Sequence, residues 1–152
     1  MSSDDTGPQS FADRIDDLLH AETQVHDRGV DLTAAEIAVV DLPGRVDFGG
    51  GELEAAATSP VETHYRSEDD DYAWWHLDAG QYLLSFNESL SGEGDVLMQT
   101  RDAMRRAGVF HPTLVVSAFE PVPLSVGEGG VRIKENARVT TVLESGSISE
   151  SR

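Results

Sequence analysis

The chain has 152 residues and no cysteine, and its 28 acidic residues face only 11 basic ones, which gives a formal net charge of −17 at pH 7. This composition excludes disulfides and thiolate metal sites, and so negative a chain repels the phosphates of nucleic acids. No apolar run approaches the length of a membrane span. The length predicts a single domain that can bury a sizeable core.

The basic residues are also unusual in kind, because Lys134 is the only lysine and the other ten are arginines. A surface this acidic repels itself at low salt, whereas molar salt shortens the Debye length to about 3 Å and removes most of that repulsion. We therefore expect a protein from a salt-adapted, halophilic cell. Residues 1–10 lack the basic start and apolar stretch of a signal peptide, so a soluble, cytoplasmic protein is expected.

The first part of the chain predicts a disordered lead followed by a helix. Residues 1–10 are polar and acidic, and a short amphipathic helix is predicted over residues 11–19, where apolar side chains recur at i, i+4, i+7 and i+8. The folded domain is expected to span residues 11–144. Residues 145–152 form a polar tail.

Beyond residue 19 the pattern changes to short β-branched or aromatic runs separated by Gly and Pro turns. Predicted strands lie at residues 29–32, 36–42, 72–76, 81–87, 95–99, 113–119, 122–126, 131–134 and 137–143. Residues 52–71 are expected to form a long loop or irregular arm, residues 127–130 a hairpin turn, and residues 102–107 a short central helix. Many short strands at close spacing favour a sandwich or barrel.

Arginines carry the clearest chemical signal. The five histidines are scattered, and none has a spacing that gathers metal ligands, so no metal site in the protein is predicted. Arg101, Arg105 and Arg106 cluster in a chain that otherwise avoids positive charge. A guanidinium fork can hold a phosphate through two hydrogen bonds. A helix that simply pairs with the abundant acids is the alternative interpretation.

Four segments, read in order, resemble the motifs of the dCTP deaminase/dUTPase family. Residues 24–33, QVHDRGVDLT, resemble an early turn of the form (G/S)-V-D-L, and residues 77–84, LDAGQYLL, resemble an L-x-P-G-x-(Y/F)-V-L strand. Residues 100–108, TRDAMRRAG, resemble the (R/K)-S-S-L-x-R-x-G motif, and residues 131–143 resemble the closing G-x-R-I-x-Q-L strand. The likeness spans nearly the whole chain.

This resemblance implies an all-β, jelly-roll-like fold of the dUTPase, or β-clip, type, with a short N-terminal helix and one short central helix. It implies a homotrimer with nucleotide sites between subunits. The family deaminates dCTP to dUTP, cleaves dUTP to dUMP and pyrophosphate, or does both, with magnesium bound to the substrate triphosphate. The expected partner is a pyrimidine deoxynucleoside triphosphate.

The resemblance also implies binding residues, with one departure from the family pattern. Arg101 and Arg106 keep the basic positions of the phosphate motif, and Asp31 would position the sugar or order the site. Both serines of that motif are replaced, by Asp102 and Ala103. A carboxylate at Asp102 would repel a triphosphate unless a cation or an arginine neutralises it.

The catalytic motif departs further. The family pattern T-A-x-x-D-x-G-(Y/F)-x-G carries a water-activating Asp and an aromatic residue that stacks on deoxyribose. Ser117 falls where the Asp should be, and serine is a poor general base without a partner. Phe119 keeps the aromatic position, and Glu120 is the nearby carboxylate that could activate water instead. These three residues complete the predicted site.

Three hypotheses about function therefore remain open. In the first, the chain is an active family enzyme with Glu120 in place of the missing carboxylate. In the second, it is a paralogue that kept the fold and lost the chemistry. Such a paralogue would bind nucleotide or serve beside an active homologue. An unrelated β-sandwich interaction protein is the third hypothesis. The sequence does not decide between dCTP and dUTP as the substrate.

Overall fold

Short antiparallel strands make up most of the computed structural model, which describes residues 11–145. The predicted lead at residues 1–10 and all but the first residue of the predicted tail lie outside the described residues. The strands are β1 Ile15–Asp16, β2 Val25–His26, β3 Gly29–Leu42, β4 Ala57–Pro60, β5 Thr63–His64, β6 Trp74–Leu77, β7 Gly80–Phe86, β8 Ser89–Leu90, β9 Val96–Thr100, β10 Val109–Phe110, β11 Leu114–Val116, β12 Val122–Val126, β13 Val131–Lys134 and β14 Arg138–Glu144. The helices are α1 Ala21–Gln24 and α2 Asp102–Arg106.

The 14-residue strand β3 joins the two halves of a nine-stranded sheet. Its first half pairs with β14, and its second half pairs with β7 and β4. The register shifts between Ala34 and Glu36, where the strand passes from one half to the other. The sheet order is β10-β12-β7-β3-β14-β9-β11, with β2 paired to the start of β3. A strand that changes partners at an irregularity is one way in which sandwich folds turn a corner.

One cluster of buried apolar side chains connects this sheet to a second one. The second sheet has the order β13-β6-β5 and contributes Trp75 and Ile133 to the cluster. From the large sheet come Val30 and Leu32 of β3 and Leu84 of β7, all fully buried. These two sheets therefore pack against a shared apolar core.

The first half of β3 is buried on both faces, and one of these faces carries polar side chains. Side chains alternate between the faces of a strand, so Val30, Leu32 and Ala34 lie on one face and Asp31 and Thr33 on the other. Asp31 and Thr33 are 1% and 2% exposed. Because buried polar groups need hydrogen-bond partners, this polar face of β3 organises the side chains around it.

The predicted fold class is confirmed, but the predicted helix over residues 11–19 is too long. Within the described residues helical structure covers positions 11–12, and the chain then turns into β1, in which Ile15 pairs with Leu90 of β8. Phe11 and Ile15 are buried as the pattern predicts. Leu19, which belongs to the same apolar spacing, is 51% exposed. The spacing therefore indicates only part of the buried face, and a distant partner strand decides the backbone conformation.

Two connections also differ from their predictions. The segment 52–71 is not simply a loop, because it contains β4 and β5. Residues 127–130 form a turn closed by a hydrogen bond from Gly130 N–H to Gly127 O. The turn links β12 to β13, but these strands pair with β7 and β6 and not with each other. The predicted hairpin is therefore wrong. Gly130 has φ 72°, and a Cβ there would lie 2.7 Å from Leu77 O, which explains the glycine.

Within residues 11–145, no helix has the length and apolar character needed to cross a membrane.

Candidate functional site

Asp31 is the buried centre of the candidate site, with a side chain only 2% exposed. Its Oδ2 accepts a hydrogen bond from Arg138 Nη1 at 3.0 Å, and its Oδ1 accepts one from Thr141 Oγ1 at 2.8 Å. Thr141 lies directly opposite Asp31 in the pairing of β14 with β3. A buried carboxylate is tolerated when it is paired and hydrogen-bonded, so Asp31 holds the two strands and their side chains in place.

His26 adds a third donor to this carboxylate. Its Nε2 lies 2.9 Å from Asp31 Oδ1, and its Nδ1 lies 3.3 Å from the backbone N–H of Arg28. A backbone N–H can only donate, so Nδ1 is the accepting nitrogen and Nε2–H donates to Asp31. The turn between β2 and β3 is thereby connected to the buried carboxylate.

An open cavity of about 400 Å³ lies beside Asp31. It is lined by Thr23, His26, Arg28, Asp31, Arg101, Asp102, Ala103, Arg106, Arg138 and Thr141. Four arginines face two aspartates here, so the cavity is locally positive although the chain carries −17. We call this cavity the arginine pocket. Of the predicted binding residues, Asp31, Arg101 and Arg106 are brought together in it.

Arg101 enters the pocket from the residue before α2 and is itself engaged with protein atoms. Its Nε lies 3.5 Å from Asp31 Oδ2, and its Nη1 donates to the backbone carbonyl of Arg138 at 2.9 Å. The side chain is 26% exposed. Arg101 therefore supports the buried carboxylate and the start of β14.

Asp102, which was expected to repel a phosphate, is neutralised by an arginine. Arg105 Nη2 donates a hydrogen bond to Asp102 Oδ1 one turn along α2. The pKa of Asp102 is lowered by this hydrogen bond and by the charge of Arg105, with smaller contributions from Arg28 and Arg106. Arg105 therefore supplies the positive charge that a carboxylate at position 102 needs if a phosphate is to bind nearby.

A second layer of buried polar groups supports Asp31 from behind. Glu88, between β7 and β8, is 3% exposed and accepts hydrogen bonds from Thr33 N–H at 2.9 Å and from Thr33 Oγ1 at 2.6 Å. Gln24 Nε2 donates both to Glu88 Oε2 and to the backbone carbonyl of Asp31, each at 2.9 Å. The network fixes β3 against α1 because every link is buried and has a partner.

The predicted catalytic residues lie apart from the arginine pocket. Ser117 is exposed in a bend that follows β11, and Glu120 is exposed shortly before β12. Phe119 is partly buried and contacts Phe86 edge to face, with ring centroids 6.5 Å apart. None of the three lines the pocket. Within the described part of one chain, the predicted phosphate-binding and catalytic residues therefore do not form one site.

A larger cavity of about 750 Å³ lies on the other side of Asp102 and Arg105 and contains the buried His111. His111 Nδ1 donates to the Pro112 carbonyl at 2.7 Å, which leaves Nε2 to accept from Thr140 Oγ1 at 2.8 Å. Burial lowers the pKa of His111, against a smaller raising effect of the Pro112 hydrogen bond. His111 is therefore neutral near pH 7.

No group of three or more histidine or acidic side chains is placed to hold a metal ion within residues 11–145. Both Asp31 oxygens already accept hydrogen bonds from Arg138, Thr141 and His26. Magnesium prefers near-octahedral oxygen ligands and is often held through substrate phosphates. Within the described residues, the side chains around Asp31 therefore do not form a cluster of carboxylates that could hold a magnesium ion by itself.

Sequence reasoning missed several residues of this site. His26 and Arg28 lie inside the first family-like segment, from which only Asp31 is predicted as a binding residue. Arg138 and Thr141 lie inside the last segment, from which no binding residue is predicted. The signal that could have found the arginines is their charge, since each positive residue is notable in so acidic a chain. The sequence contains no comparable signal for Glu88.

Comparison with known proteins relates the sequence to a group of archaeal proteins described as probable deoxyuridine 5′-triphosphate nucleotidohydrolases. It is 30% identical over 136 residues to a probable deoxyuridine 5′-triphosphate nucleotidohydrolase of Methanosarcina acetivorans, an alignment that covers 85% of this chain and 76% of that protein. A protein of the same description from Methanosarcina mazei is 27% identical over 136 residues, with the same coverage of both chains. No protein-family model matches the chain.

A solved structure supports the fold independently. The 2′-deoxycytidine 5′-triphosphate deaminase of Agrobacterium tumefaciens matches 86% of this chain with a TM-score of 0.56 at 15% sequence identity. The chain spans 43% of that structure's length, so it corresponds to less than half of the deaminase. Together with the sequence relationship to the nucleotidohydrolases, this places the chain in the dCTP deaminase/dUTPase family.

Proposed function

We propose that the arginine pocket binds the triphosphate of a pyrimidine deoxynucleotide, dUTP or dCTP, as its magnesium complex. The observation that carries the proposal is the local excess of arginine over aspartate in a chain of net charge −17. Phosphate oxygens accept strong, often bidentate hydrogen bonds from guanidinium groups. The related nucleotidohydrolases and the deaminase agree with a role in deoxynucleotide metabolism.

The chemistry we propose for an active protein is that of the related proteins. Either water attacks the α-phosphorus of dUTP and releases pyrophosphate and dUMP, or water replaces the exocyclic amine of dCTP and releases ammonia and dUTP. Each reaction needs a base that takes a proton from the water. Glu120 is the carboxylate nearest in sequence to the position at which Ser117 stands.

A second candidate function is nucleotide binding with little or no turnover. Two observations favour it: Ser117 replaces the expected carboxylate, and neither Ser117 nor Glu120 lines the arginine pocket. Because a positioned general base contributes about 10²–10⁴-fold to a rate, its loss alone would make turnover slow. Such a protein would bind nucleotide by itself or beside an active homologue.

Assembly into a homotrimer forms part of the proposal. Phe119 and Glu120 are separate from the arginine pocket in one chain, so a neighbouring subunit would have to bring them to the bound nucleotide. We further propose a cytoplasmic, halophilic setting, because molar salt screens the acidic surface and the proposed substrates are metabolites of the cell interior.

Titration calorimetry with dUTP and dCTP, in molar KCl with magnesium, tests the binding step. Binding of either triphosphate with much weaker binding of the monophosphate is the expected result. Parallel assays of pyrophosphate release from dUTP and ammonia release from dCTP separate the enzyme from the binding protein. If neither triphosphate binds under these conditions, the proposed function is wrong.

A further inference from the structure

The four arginines of the pocket divide into two groups by the partners they already have. Arg138 donates to Asp31 Oδ2 at 3.0 Å and lies 3.4 Å from the Thr23 carbonyl, and Arg101 is held by Asp31 and the Arg138 carbonyl. These two guanidinium groups neutralise a buried carboxylate. Diverting them to a ligand would leave Asp31 with fewer partners, and an under-paired buried charge is costly.

Arg28 and Arg106 form the second group. Both are exposed, and among residues 11–145 neither side chain makes an ion pair or hydrogen bond with another protein group. Both lie close enough to Asp102 for their charges to contribute to the lowering of its pKa. Their positive charge at the mouth of the pocket is therefore available to an anion without the loss of an existing contact.

The backbone at Arg28 is held in place, although its side chain has no hydrogen-bond or ion-pair partner among residues 11–145. Arg28 lies in the two-residue turn between His26 and Gly29, which pair across the start of the β2–β3 hairpin. Its N–H donates to His26 Nδ1, whose ring is bound to Asp31. A Cβ on Gly29 would lie 2.3 Å from the Val142 carbonyl, so the turn is packed directly against β14. A fixed turn limits the entropy lost when the side chain binds a ligand.

We propose that Arg28, together with Arg106, contacts the phosphate chain of the bound nucleotide, and that Arg101 is a positioning residue that acts through Asp31. The inference rests on the proposed function of the pocket. It changes which arginines contact the phosphates. The motif resemblance points to Arg101 and Arg106 as the phosphate ligands and does not point to Arg28. The partners of each guanidinium group favour Arg28 over Arg101.

Three glutamine variants and one control test this assignment. Arg28→Gln, Arg106→Gln and Arg101→Gln are each compared with Arg132→Gln, an exposed arginine on β13 outside the pocket. Each substitution removes one positive charge, so the control accounts for the change in overall charge. For each protein, calorimetry in molar KCl with magnesium measures the affinities for dUTP and dUMP, and thermal unfolding measures stability.

For Arg28→Gln we expect a loss of about 10-fold in dUTP affinity, which is the lower end of the range for a hydrogen bond to a charged group. The lower end applies because Arg28 is exposed. The melting temperature should not change. The preference of this variant for dUTP over dUMP should shrink. Arg101→Gln should instead lower the melting temperature, and Arg101→Lys should restore stability only in part because lysine lacks the guanidinium fork.

Two results would overturn the assignment while leaving the proposed function intact. One is wild-type dUTP affinity in Arg28→Gln, equal to that of the Arg132→Gln control. The other is a larger loss of affinity in Arg101→Gln than in Arg28→Gln at unchanged stability, which would identify Arg101 as the direct contact. If the wild-type protein itself binds no triphosphate, the proposed function fails before the assignment is reached.

Discussion

Substituting Asp31 by asparagine tests whether a buried carboxylate organises the arginine pocket. Asparagine has nearly the same shape and can still accept the hydrogen bond from Thr141 through its oxygen. Its amide group, however, would face Arg138 with another donor, and the negative charge that pairs with Arg138 and Arg101 would be gone. The two guanidinium groups would then lie partly buried beside each other without a counter-charge.

The size of the effect follows from burial. Removing one partner of a fully buried ion pair costs about 3–5 kcal/mol. Here the carboxylate is 2% exposed, but Arg138 and Arg101 are 36% and 26% exposed, so water can partly solvate them after the substitution. We therefore expect a loss near the lower limit, about 3 kcal/mol. For a domain of about this length, 1 kcal/mol lowers the melting temperature by about 2–4 °C, so the drop should be roughly 6–12 °C.

Thermal unfolding in molar KCl, followed by circular dichroism, is a suitable assay, with urea unfolding as a check on the free energy. Asp41→Asn is the matched control, because Asp41 is exposed on the same strand and loses the same charge. A melting temperature for Asp31→Asn equal to that of the control would refute the argument that this carboxylate holds the site together.

Four further predictions concern the phosphate contact, the catalytic position, pH and salt. Arg106→Ala should weaken triphosphate binding by about 1.5–3 kcal/mol, and equal affinity by calorimetry would remove Arg106 from the site. The natural protein should hydrolyse dUTP slowly or not at all, and Ser117→Asp should raise the rate without loss of stability because Ser117 is exposed; robust hydrolysis that is unchanged in Ser117→Ala would contradict this. Because burial lowers the pKa of His111 below 6.5, the unfolded chain binds more protons just below that pH, so stability should fall as the pH drops through 6.5. Melting temperatures of His111→Gln between pH 7.5 and 5.5 should then depend less on pH than those of the wild type, and identical slopes would count against the effect. The melting temperature should rise along a KCl series, since screening reduces the repulsion of a chain with charge −17; a flat or falling curve would show that this repulsion does not limit stability.

Much of the fold could be predicted from local pattern. Short apolar runs between Gly and Pro turns placed β7, β12 and β13 close to their observed bounds, and good helix formers before Gly108 predicted α2. These elements were predictable because alternation, turn residues and helix propensity are properties of neighbouring residues. The motif order identified the family for the same reason, since each motif is a short run.

Features that depend on pairing between distant strands could not be predicted in this way. The apolar spacing at the start of the domain fits a helix equally well, but Ile15 pairs with Leu90, 75 positions further along the chain. The segment with β4 and β5 is small and polar and has weak strand propensity of its own. It forms strands because β3 and β6 offer it hydrogen-bonding edges.

The functional site shows the same division between local and tertiary information. The sequence by itself predicts that any phosphate site would consist of a few arginines, because the rest of the chain is so acidic, and it names Asp31, Arg101 and Arg106 as candidates. Which arginines are free to bind was decided only by the tertiary structure. Arg138 is 107 positions from Asp31 and yet donates to its carboxylate at 3.0 Å. That pairing occupies the Arg138 guanidinium group, whereas the Arg28 guanidinium group has no partner in the part of the chain that the structure describes. Charge is a property of a residue, whereas the availability of that charge depends on which residues the fold places beside it.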